Sequence, residues 1–92
     1  MNDILKRKID EAVLIIEEKM PADVQRQFMA TPEEDLCLWH FTLGLWIRNH
    51  LLPVGGDLYN LFVHSGCTHK DDMSDIITNA LHDQLSRCIK LR

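Results

Sequence analysis

Cysteine and histidine, the side chains best suited to hold a metal or activate a nucleophile, gather in two short stretches. Cys37 and His40 lie one helical turn apart, and His64, Cys67 and His69 follow further on. Four such ligands would satisfy zinc, and a histidine beside Cys67 with an aspartate behind it would be the smallest Cys-His-Asp nucleophile. The spacing argues against both. There is no Cys-x-x-Cys pair, helices routinely bury single cysteines, and residues so local in sequence rarely reach triad geometry. Cys88 makes the cysteine set odd and widely spaced, which fits reduced thiols in a cytoplasmic protein rather than a disulfide framework. No catalytic residue, metal ligand or cofactor is expected.

The carboxylates say more. Net charge is −4, and between Thr31 and Asp75 the acids Glu33, Glu34, Asp35, Asp57, Asp71, Asp72 and Asp75 are set against only Arg48 and Lys70. Such a surface repels phosphate backbones and suits a basic protein partner. Glu33, Glu34 and Asp35 at one helix start, with Asp71, Asp72 and Asp75 at another, are the candidate partner-binding residues. Their number exceeds what capping two helices needs. The basic run Lys6-Arg7-Lys8 is flanked by Asp3, Asp10 and Glu11 and reads as a solvated face. Arg48 and Asn49 form the strongly polar pair of an otherwise apolar stretch, and a buried guanidinium must be paired. Asp71, Asp72 or Asp75 would complete a structural clamp, with Asn49 tying down loop carbonyls.

These residues need elements to position them. Thr31 to Pro53 reads as a central helix: Thr31 and Glu34 match a capping box, Pro32 suits the first turn, and Pro53-Val54-Gly55-Gly56 forbids continuation. Leu36, Trp39, His40, Leu43, Ile47 and Leu51 follow helical spacing while Leu38, Phe41, Leu45 and Leu52 fill the other side, the pattern of a helix covered all round. Gly44 in its middle costs about 1 kcal/mol relative to alanine, which close approach of another element would offset. Asn2 to about Lys19 shows one apolar stripe of Ile4, Leu5, Ile9, Ala12, Val13 and Ile16. A short helix over Pro21 to Phe28 follows. Asp57 to His64 reads as a few helical turns capped by Asp57 and ended at Ser65-Gly66, with a β-hairpin as the competing assignment. The last helix runs from about His69 to Lys90, its stripe Met73, Ile76, Ile77, Ala80, Leu81, Leu85, Cys88 and Ile89, with Arg87, Lys90 and Arg92 at its negative end.

At 92 residues with 46% hydrophobic content, residues 1–92 make a single all-α domain: a compact orthogonal bundle of four to five helices around the buried central helix, with Trp39, Leu43, Trp46 and Ile47 at its heart. The core suffices without disulfide or metal. No apolar run reaches the roughly 18 residues that span a bilayer, and the N-terminus lacks signal-peptide order, so no membrane association is expected.

Leu38-Trp39-His40-Phe41-Thr42-Leu43-Gly44-Leu45-Trp46-Ile47-Arg48-Asn49 resembles the signature of an uncharacterised family, a domain of unknown function found in small bacterial helical proteins. Its second piece, a His-Pro-Asp-Asp-Met-Ser helix opening, is similar to His69-Lys70-Asp71-Asp72-Met73-Ser74, with lysine in place of proline. After the asparagine the family tends to a Trp- and Gly-containing loop, where this chain has His50-Leu51-Leu52-Pro53. The resemblance implies an all-α fold and no activity. Charge and the absence of catalytic chemistry lead to a protein-binding role, with an immunity or antitoxin protein that neutralises a basic toxin such as a nuclease as the leading expectation. An adaptor or phage-type inhibitor of another host protein is the alternative, and a small zinc- or thiol-dependent enzyme a further one.

Overall fold

The protein's computed structural model describes residues 3–90, with side chains through residue 87. The expectations for Asn2, Cys88, Ile89, Lys90 and Arg92 lie outside the described backbone or side chains. α1 (Asp3–Lys19) buries Leu5, Ile9, Ala12, Val13 and Ile16 as its stripe requires, whereas Ile4 stands exposed at the stripe's edge. Pro21 starts α2 (Ala22–Ala30), which turns Phe28 fully inward. α4 (Asp57–His64) is helical, which removes the hairpin alternative. Gly56 occupies its N-cap position and Asp57 makes no capping bond. At the other end Gly66 takes φ +99°, its N–H donates to the Val63 carbonyl, and the Cys67 N–H donates to Phe62. That is a complete Schellman motif, and it needs glycine where it has one. α5 (Lys70–Lys90) is the longest element and packs against α1, α2, α4 and the segment 33–50. The core draws Leu5, Ile16, Phe28, Ile47, Phe62, Met73, Ile77 and Leu81 from all of these, with Leu52 from the loop before α4, each almost wholly buried. The fold is all-α, with no strand among the described residues.

The central helix departs from expectation. Residues Glu33–Trp39 wind as a 3-10 helix, His40–Gly44 as a π turn, and only α3 (Leu45–His50) is regular α-helix. The helix does not start at a Thr31 capping box: Pro32 is the N-cap residue, without a side-chain cap. The Thr31 hydroxyl is already engaged, donating to the Gln27 carbonyl at the end of α2 (3.0 Å) and accepting from the Trp39 Nε1–H (3.0 Å). The first bond of the new element is therefore the short-range one from the Asp35 N–H to the Pro32 carbonyl, which sets 3-10 winding. Nor is the segment covered all round. Leu36, Leu43 and Ile47 are buried, Trp39 and Trp46 are half-buried, and Leu38, Phe41 and Leu45 face outward.

Candidate functional site

In a 3-10 helix, side chains three apart eclipse one another, so Glu33 to Phe41 sorts into three stripes. Leu36, buried, and Trp39, half-buried, run toward the core, whereas Glu33 at the start of that stripe is exposed and lines the cleft beside α5. Glu34, Cys37 and His40 face α5 across a cleft of about 400 Å³, whose other wall holds Asp75, Thr78 and Asn79. Asp35, Leu38 and Phe41 form the outermost stripe. Leu38 and Phe41 are 73% and 80% exposed, and Leu45, 47% exposed, continues the line past the π turn. The result is an apolar ridge with an acid at its head and an acidic cleft along its flank.

The inner side of the same segment is held by Arg48. Its side chain is only 11% exposed, and its Nε lies 3.5 Å from Asp71 Oδ1. Nη1 donates to Ser74 Oγ (2.9 Å) and Nη2 to the His40 carbonyl (3.1 Å). Ser74, fully buried, passes its own proton to the Asp71 carbonyl (2.9 Å). The π turn and Gly44 belong to this arrangement. An added Cβ at Gly44 would meet Arg48 Nη1 at 3.0 Å and Ser74 Oγ at 3.7 Å, so the missing side chain is the space the guanidinium fills. The expected ion pair to the start of α5 is thus present, through Asp71. Asn49 is not its companion: it is exposed, and its side chain makes no hydrogen bond among the described residues. An arginine at that depth reaches α5 while the next residue, turned by a further 100°, points to solvent.

His40 joins the two sides. Its ring stands edge-on to Phe41 (4.9 Å between centroids), with Nδ1 3.4 Å from Asp75 Oδ1 and Nε2 4.0 Å from Asp71 Oδ2. The six candidate carboxylates therefore do not act alike. Asp71 and Asp75 are engaged by Arg48 and His40, and the charge of Asp72 is felt by the Cys67 thiol. Glu33, Glu34 and Asp35 remain without ion pairs among the described residues. Sequence reading missed Ser74, the ring of His40 and the exposure of the ridge. A period of three through Asp35, Leu38 and Phe41 was the available signal.

Residues 7–85 match the family model described as "Domain of unknown function (DUF6794)". The chain belongs to this family. The matched span of this DUF6794 domain contains the ridge, the clamp and the start of α5. No curated protein and no solved structure matches the chain.

Cys67, His64 and His69 lie apart from the cleft and the clamp. Cys67 is half-buried, and burial, with the charge of Asp72 second, pushes its thiol above the ordinary value of 9.0. That is the opposite of what activates a thiolate nucleophile. His64 and His69 are exposed, and no group of three or more metal-ligating side chains is arranged for a metal among the described residues. His82 is structural: its Nε2–H donates to the Thr31 carbonyl (2.9 Å) and its ring meets Phe28 edge-on. No described helix is long and apolar enough to cross a membrane.

Proposed function

We propose that this chain is a protein-binding domain whose ridge of Leu38, Phe41 and Leu45 docks on a basic partner. The observation that carries the reading is Phe41, an aromatic ring 80% exposed beside a leucine that is 73% exposed. Covering a ring or leucine of this size contributes about 1.5–3 kcal/mol each. A contiguous apolar patch with a polar rim is the usual form of an interaction site. Charge selects the occupant. Glu33, Glu34 and Asp35, unpaired among the described residues, crowd one end of the ridge, so a second copy meeting ridge to ridge would repel, and a lysine- or arginine-rich protein would be drawn in. In the narrower form of this reading, the partner is a basic toxin such as a nuclease and the domain is its immunity protein or antitoxin. Open carboxylates of the same sign as substrate phosphates support that form.

Affinity capture from the native cell, run in parallel with wild type, Phe41→Ser and a Glu33→Lys/Glu34→Lys double variant, tests it. A basic protein is expected on the wild type and absent from both variants. Its association should slow as salt shortens the Debye length from about 10 Å at 0.1 M to about 3 Å at 1 M. Capture that is indifferent to Phe41 and to salt would remove the ridge from consideration.

A further inference from the structure

A second surface lies between α1 and α5. A groove of about 470 Å³ runs there, with Ile76 and Ala80 half-buried in its floor and Ile9 and Val13 beneath. Leu14 stands at its edge, 56% exposed. This leucine also borders a second depression beside Glu17 and Gln25, so it projects as a knob next to a hole. The rim carries both signs. Lys6 and Asp10 come from α1, and Asp83 and Arg87 from α5, the last two already paired at 2.9 Å.

An interface between identical chains about a two-fold axis must be complementary to itself, because each patch meets its own copy. A knob beside a hole meets that condition in shape. A rim with a cation and an anion on each wall meets it in charge, since rotation can set Lys6 and Arg87 of one copy near Asp83 and Asp10 of the other. The acidic ridge satisfies neither condition. We infer that the α1–α5 groove is where a second copy of this chain docks, Leu14 of each copy seated over Ile76 and Ala80 of the other. This leaves the ridge free, so the inference stands independently of what the ridge binds.

Sedimentation equilibrium of the full chain over a range of concentrations decides it. The expected mass rises toward twice the 10.7 kDa of one chain. Leu14→Arg should weaken dimerisation at least tenfold. Lys6→Glu, a surface change that leaves packing alone, should weaken it by a smaller factor. Phe41→Ser should leave the dimer unchanged, and circular dichroism melts should show all three variants folded. A monomer at every concentration would overturn the inference. So would a dimer that survives both Leu14→Arg and Lys6→Glu, or one that Phe41→Ser dissolves.

Discussion

Residues 33–50 present two faces with opposite histories of desolvation. The inner face buries a guanidinium and satisfies it with a hydroxyl, a carbonyl and a carboxylate. The outer face leaves an aromatic ring and two leucines in water with nothing over them. A polar cluster buried among Leu36, Leu43 and Ile47, beside an apolar ridge left in water, departs from the ordinary distribution, and the departure separates tasks. The buried polar cluster fixes the segment on α5, so that the apolar ridge is held rigid without needing to be covered itself.

Substitutions on the two faces should therefore differ sharply. Arg48→Met should cost the most, about 2–3 kcal/mol, because charge-assisted hydrogen bonds to Ser74 and the His40 carbonyl are lost from a nearly buried site. At roughly 4–8 °C per kcal/mol for a domain of this size, thermal unfolding would show a drop of 10 °C or more. Asp71→Asn should cost well under about 1 kcal/mol, since that carboxylate is largely solvated. A double variant that loses less than the sum would establish their contact.

Thr31→Val comes next, at about 1–2 kcal/mol, since it removes the acceptor for the Trp39 indole and the donor to Gln27 together. Tryptophan emission should shift to longer wavelength before global unfolding. An unchanged melt would mean that the 3-10 winding does not depend on this hydroxyl.

Gly44→Ala sets helix propensity against the clamp. Propensity alone would stabilise by about 1 kcal/mol, yet the new Cβ lies 3.0 Å from Nη1 of a guanidinium whose three nitrogens each have a partner. A net loss of about 1 kcal/mol is expected in wild type, turning to neutral or a gain in the Arg48→Met background. The same loss in both backgrounds would show that backbone rather than Arg48 excludes the methyl group.

Smallest of all, Leu38→Ser and Phe41→Ser should leave stability within about 0.5 kcal/mol while abolishing partner capture. A large destabilisation would erase the distinction between the faces.

Much of this arrangement could be read from residue types. The stripes of α1 and α5, the glycine stop at Gly66 and the pairing of Arg48 with an acid at the start of α5 follow from spacing and from the cost of an unpaired charge. What failed was the winding between Thr31 and Gly44. A capping box and a leucine-rich run have the same letters in an α-helix and in a 3-10 helix, and the difference lay with the Thr31 hydroxyl, taken by residues on both sides of it. With the winding wrong, Leu38 and Phe41 were assigned to the interior. With it right, they share a stripe with Asp35. The acids at the two helix starts stand out in the sequence, but their division into clamp and open surface depends on where His40 points, which spacing does not give.

The three-residue turn has one further consequence, for how such a domain can diversify. Because Leu36 and Trp39 turn inward while Asp35, Leu38 and Phe41 face outward, the letters that specify the fold and those that would meet a partner occupy separate positions. A sequence can drift at every third site, exchanging one recognition surface for another, while the sites between keep the same packing. A uniform α-helix, whose faces blur into each other every few residues, would not keep the two alphabets apart.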